Sequence, residues 1–143
     1  MKAFLGSLAL LLVAPTLFGA QLTVTVTGLR EPGEIHLGIY ESAAAFEGDR
    51  GDRGGPQAGI ITGSIEPAGP EDFTATFELP DGTYAIGVFH DVDGNGALSK
   101  SFLGIPKEPF GFSNNVRGRF GPPSFMEASF SLTRDLAITI ALD

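Results

Sequence analysis

Asp91-Val92-Asp93-Gly94-Asn95-Gly96 carries three oxygen-bearing side chains at alternate positions and ends in a glycine. That is the donor set and spacing a hard cation such as calcium takes from a short loop. Alternation sets Asp91, Asp93 and Asn95 on one side of a curving backbone, and Gly96 can adopt the positive φ that folds the loop back. An EF-hand would run on through a backbone carbonyl at Ala97 and a ligand at Ser99 to a bidentate glutamate at its twelfth position. That position is Phe102, and the segment follows a strand-like run where an EF-hand has a helix. The pattern excludes an EF-hand and leaves a strand-loop cation site. Glu108 is the nearest further carboxylate and Asn114 a further amide oxygen. The expected metal ligands are Asp91, Asp93, Asn95, Ser99, Glu108 and Asn114, and the expected ion is calcium, in the weak extracellular affinity class of about 10⁻⁴ to 10⁻³ M. Two readings without a metal fit the same residues. Aspartate and asparagine can cap their own turn, or Arg117, Arg119 or Lys107 can pair with Asp91 and Asp93.

Other chemistry is thinner. His90 beside Asp91 suggests a transition metal or acid–base pair, yet a histidine ending an alternating strand reads first as a structural rim residue. His36 has no partner legible in the sequence. Ser113 and Ser124 lack the strand–turn–helix glycine signature or paired base that activates a nucleophilic serine. No catalytic residue is expected, and the enzyme reading reduces to His90, Asp91 and Glu108 sharing a cleft. Arg50-Gly51-Asp52 is an adhesion-like tripeptide of a kind that glycine-rich charged loops produce by chance.

The elements that must carry these residues are strands. Leu22, Val24 and Val26 alternate with Thr23, Thr25 and Thr27, the period of two of a half-buried strand. Ile35, Leu37 and Ile39 repeat it after Glu31-Pro32-Gly33, and the two runs are expected to form a hairpin. Phe73, Ala75, Phe77 and Leu79 alternate before a turn at Pro80-Asp81-Gly82. Tyr84, Ile86 and Val88 then lead into His90 and the acidic loop. Leu136, Ile138, Ile140 and Leu142 close the chain as an edge or closing strand. Weaker strands around Ile60 to Ile65 and Met126 to Leu132 bring the count to about seven, the number typical of an immunoglobulin-like sandwich. With no sustained helical period, the expectation is an all-β sandwich, immunoglobulin-like or transthyretin-like. Two connections are long. Glu41 to Ala58 holds a polar glycine-rich run and is expected to be mobile. Asp91 to about Phe125 exceeds the usual loop length, but its phenylalanines, among them Phe102, Phe110, Phe112 and Phe120, give it an apolar content that disordered segments lack. It is expected to be ordered, packed over one end of the sandwich, and to carry any localised function.

Residues 1–20 read as a secretory signal: Lys2 gives a positive start, Phe4 to Val13 an apolar segment, and Ala20 a small residue at the cut. Residues 21–143 are then one exported domain, periplasmic or extracellular, with no further run of the roughly 20 apolar residues that span a membrane. The chain of 143 residues has no cysteine, so its stability must come from a core and not from disulfides. Twelve phenylalanines, ten of them after Ala20, can supply one. The net charge is −8, and an acidic surface repels nucleic acid and anionic membranes while leaving cations and neutral ligands as partners.

The runs Leu79-Pro80-Asp81-Gly82-Thr83-Tyr84-Ala85, Phe89-His90-Asp91, Asp93-Gly94-Asn95-Gly96, Gly104-Ile105-Pro106-Lys107-Glu108, Gly111-Phe112-Ser113-Asn114-Asn115 and Phe120-Gly121-Pro122-Pro123-Ser124-Phe125 resemble, in order and spacing, a bacterial exported family defined only as a domain of unknown function. The resemblance spans most of the chain after the signal and implies no activity. Leu79 to Tyr84 more distantly resembles the turn that opens a core strand in transthyretin-like and carboxypeptidase-regulatory-like sandwiches, which supports the fold alone. The functional expectation is a non-enzymatic exported sandwich whose calcium-organised loop supports interaction with a protein or a glycan. Its alternative is a metal-independent structural domain of the cell envelope.

Overall fold

The computed structural model describes residues 19–52 and 59–143. The expected signal segment up to residue 18 and residues 53–58 of the glycine-rich run lie outside them. The fold is an all-β sandwich of two sheets. Its strands are β1 (Ala20–Thr27), β2 (Gly33–Tyr40), β3 (Ile60–Ala68), β4 (Phe73–Leu79), β5 (Gly82–Asp91), β6 (Phe110–Phe112), β7 (Phe130–Leu132) and β8 (Leu136–Ala141). One sheet has the order β4-β1-β8, with β8 at its edge running parallel to β1. The other has the order β3-β2-β5-β6, and the short β7 also pairs with β5. No helix among the described residues is long and apolar enough to cross a membrane.

The alternating apolar sets meet between the sheets. Leu22, Val24 and Val26 of β1 pack against Ile35, Leu37 and Ile39 of β2 and Tyr84, Ile86 and Val88 of β5, closed by Leu132 and Ile140. Strand β5 is buried on both faces along most of its length. Its other side lies under a second cluster of Tyr40, Phe46, Ala85 and Ala128, joined by Phe112 and Phe125.

Three expectations need correction. The first two strands do not form a hairpin: β1 pairs with β4 and β8, and β2 pairs with β3 and β5. Alternation fixes which residues face the core but not which strand lies alongside, because both sheets bury the same kind of face. The segment Met126 to Leu132 is not one strand. A helical turn α2 (Phe125–Ala128) precedes β7, held by a capping box in which Ser124 and Glu127 satisfy each other's backbone N–H groups. The connection after Glu41 also holds a short helix, α1 (Ala43–Gly48), whose Phe46 packs edge-on against Tyr40, Phe112 and Phe125. Beyond α1 the chain is tied down through Asp52. Leu98 N–H donates to the Gly51 carbonyl, and the Lys100 ammonium donates to the Arg50 carbonyl and Asp52. Arg50-Gly51-Asp52 is thereby docked against the long second connection.

Candidate metal centre

Asp91 ends β5 on the outer face of the sheet, opposite Glu34 of β2. It is 2% exposed, and its carboxylate organises the turn that follows. Oδ1 accepts from Gly94 N–H at 2.9 Å and Oδ2 from Gly96 N–H at 2.7 Å. Both glycines have positive φ, 75° and 80°, a conformation that costs other residues about 1 kcal/mol or more. Asp93 Oδ1 accepts from Asn95 N–H at 3.0 Å, and its Oδ2 from the Ser99 hydroxyl at 2.5 Å. Glu108 is brought back by Lys107 N–H donating to the Ser99 carbonyl. Its carboxylate, in a residue 7% exposed, accepts long bonds of 3.3 Å from Asp93 N–H and Ser99 N–H.

One carboxylate oxygen each from Asp91, Asp93 and Glu108 lies within 4.8 Å of the others. Among the described residues no lysine or arginine pairs with any of the three. Donation from Ser99, with help from Asn95 N–H, holds the Asp93 carboxyl below the usual aspartate range, so it stays ionised. Three convergent carboxylate oxygens in a loop of fixed shape are hard donors for a divalent cation.

The six expected ligands divide. Asp91, Asp93 and Glu108 come together as a set. Ser99 is bonded to them, but its hydroxyl donates to Asp93 and accepts from the Asn95 amide at 2.9 Å. The Asn95 oxygen accepts from Ala97 N–H at 3.0 Å, so Asn95 caps the turn. Asn114 lies elsewhere. At φ 63° its amide donates to the carbonyls of Glu127 and Ser129, fastening the long connection to α2. Of the expected neutralising cations, Arg117 pairs with Asp143.

His90 and Asp91 do not share a cleft. Adjacent strand residues point to opposite faces, and His90, 1% exposed, turns toward the interior, where Nε2 lies 3.3 Å from the Ala68 carbonyl. Ser113 is fully buried and tied by its hydroxyl to Ile86 N–H and the Ala128 carbonyl.

A second cluster was not legible in the sequence. His36 Nε2 lies 2.8 Å from Glu34 and 3.8 Å from Asp91, with its ring stacked on Phe89 at 4.5 Å. Glu34 and His36 share a face of β2, a spacing the sequence does display, but only the β2–β5 register brings them to Asp91.

No curated protein and no solved structure matches the chain. A family model described as "Uncharacterized protein conserved in bacteria (DUF2141)" matches residues 24–139, which run from β1 through the acidic loop to β8. The sandwich and the loop between β5 and β6 are thus both within the match, and the chain belongs to the DUF2141 family.

Proposed function

We propose that this protein is an exported, non-enzymatic β-sandwich in which Asp91, Asp93 and Glu108 hold calcium, and that the ion fixes the loop after β5 as a surface for a protein or glycan partner. The observation that supports this reading is the convergence of three carboxylates with no lysine or arginine against them among the described residues. Like charges at this separation repel, and a divalent cation turns that repulsion into attraction. The three side chains supply at most a few of the six to eight oxygens calcium takes, so carbonyls and water complete the shell and affinity falls in the weak class.

The metal-independent structural reading draws on a different observation: each carboxylate already accepts N–H or O–H donors within the loop. Thermal unfolding of the purified protein in chelator and in calcium, magnesium or zinc separates the two. At ten times its dissociation constant a bound ion adds about 1.4 kcal/mol, roughly 5 °C for a domain of this size. A calcium shift of that order, lost in Asp93→Ala, is the expected result. Melting that no ion moves refutes the cation reading in favour of the structural one. A zinc-selective shift that survives Asp93→Ala and vanishes in His36→Ala would refute the loop assignment and move the ion to Glu34, His36 and Asp91.

A further inference from the structure

The outer face of the larger sheet bears a cleft of about 1030 Å³, at the upper end of the range for small-molecule sites. Gly63, Gly38 and Gly87 stand level with one another on β3, β2 and β5 and contribute to its floor. Three neighbouring strands therefore lack side chains in one row; Gly63 is exposed and Gly87 half-buried, while Gly38 between them lies buried under the Tyr40 ring. Two of these glycines have local reasons: a Cβ at Gly63 would strike the Leu37 carbonyl at 2.2 Å, and one at Gly38 would press on the Tyr40 hydroxyl at 3.0 Å. Gly87 has none. Its Cβ would meet Phe112 at 3.7 Å and Tyr40 at 4.0 Å, ordinary contact, and its φ is not in the left-handed region. A mid-strand glycine costs stability, and neither packing nor backbone conformation requires one at Gly87.

The walls are aromatic, from Tyr40, Phe46, Phe89, Phe110 and Phe112. At the lip Leu103, Ile105 and Phe120 are exposed, Phe120 completely. The charge is the reverse of the protein's own. Arg50, Lys100, Arg117 and Arg119 line the cleft, four of the seven lysines and arginines among the described residues, in a chain of net charge −8. The one carboxylate in the lining, Asp49, accepts from the Tyr40 hydroxyl and from Gly51 N–H. Lys100 and Arg117 pair with Asp52 and Asp143, while Arg119 has no carboxylate partner among the described residues.

We propose that this cleft binds an anionic amphiphile, its single apolar chain lying over Gly87 between the aromatic walls and its carboxylate or phosphate head at Arg119. The apolar lip covers the chain, and the local basic charge selects the head group against the repulsion of the acidic remainder. This site is independent of the cation reading, and its test is run in chelator as well as in calcium.

Equilibrium dialysis of radiolabelled laurate against the purified protein is the direct experiment, with palmitate, dodecyl phosphate, methyl laurate and dodecylammonium as competitors, all below micelle formation. Two variants accompany it: Gly87→Val, whose methyls enter the floor, and Arg119→Glu on the exposed lip. The expected result is stoichiometric laurate binding that tightens by roughly fourfold per added methylene, the equivalent of about 0.8 kcal/mol. The phosphate should compete, and neither the neutral ester nor the ammonium should. Gly87→Val should abolish binding, and Arg119→Glu should weaken it by about fivefold or more. Sedimentation with phosphatidylglycerol vesicles distinguishes the source: binding of free laurate that is lost in Gly87→Val, without sedimentation on vesicles, is expected, and binding to vesicles alone overturns the single-chain assignment. Binding that survives both substitutions, equal competition by the ester, or no binding of any anionic amphiphile overturns it. So does a dimer that Gly87→Val dissolves without any ligand having bound, which would give the cleft to a second copy of the chain.

Discussion

Ser113→Ala removes one oxygen atom and is expected to be among the most damaging single changes outside the apolar core. Strand β5 uses one edge for two short partners: β7 covers Gly82 to Tyr84, and β6 covers Gly87 to Phe89. Ile86 falls in the gap. Its N–H donates to Ser113 Oγ at 2.9 Å, and the same hydroxyl donates to the Ala128 carbonyl at 2.5 Å. The serine side chain thus stands in for a missing strand bond and anchors α2. Ser113 is 0% exposed, so water cannot replace it. Alanine would strand a buried donor and a buried acceptor, each at about 1–3 kcal/mol, or roughly 2–6 kcal/mol together. Against a total stability of about 5–15 kcal/mol, that is a large share, and it corresponds to a fall in melting temperature of about 8–24 °C. Urea unfolding followed by far-ultraviolet circular dichroism suits a chain without tryptophan, and an unchanged slope would show that stability alone has moved. Ser124→Ala is the comparator: it removes a solvent-facing cap bond to Glu127, worth about 1 kcal/mol. If Ser113→Ala costs no more than Ser124→Ala, the bridging role is wrong.

Two further outcomes concern titration. The Ser99 hydroxyl is the chief reason that the Asp93 carboxyl is held below its ordinary value of 3.8. A depressed folded value means that the contribution is complete above 3.8 and is lost as pH falls through the folded midpoint. Ser99→Ala should move the Asp93 midpoint up toward 3.8 by carboxyl-resolved NMR, and an unmoved midpoint would refute the hydrogen bond as its cause. Both tyrosines are shifted upward from 10.0. Tyr40 is raised strongly, by burial and then by its bond to Asp49, and Tyr84 by burial and nearby carboxylates. A raised folded value means that the contribution is complete below pH 10 and is lost as pH rises through the folded midpoint. Near-ultraviolet absorbance should therefore show the Tyr40 phenolate forming only with alkaline unfolding. A tyrosinate step assigned to Tyr40 near pH 10 in still-folded protein would count against its burial beside Asp49.

Legible from the residues alone were the alternating strands β1, β2, β4, β5 and β8, the faces they bury and the acidic turn that ends β5, whereas β6 and the helical turn before β7 were not. The legible features are local matters. Alternation of Leu22, Val24 and Val26 with threonines reports one buried face, and Asp91 satisfies N–H groups only three and five residues ahead, where aspartate spacing and two positive-φ glycines are sufficient. The return of Glu108 was likewise within reach, because a bridge between Lys100 and Pro106 folds its loop over a short span. Tertiary structure decided everything that depends on which strands lie side by side. Leu22 and Ile35 carry the same pattern yet belong to different sheets, and Asn114, placed by proximity with the acidic loop, is drawn instead to α2. His36 reaches Asp91, and three glycines far apart in the chain align beneath a basic, aromatic cleft, only because β2 takes β3 on one side and β5 on the other. A pattern of period two names the face of a residue but never its neighbour across the sheet, since that choice is made by the packing of the whole domain.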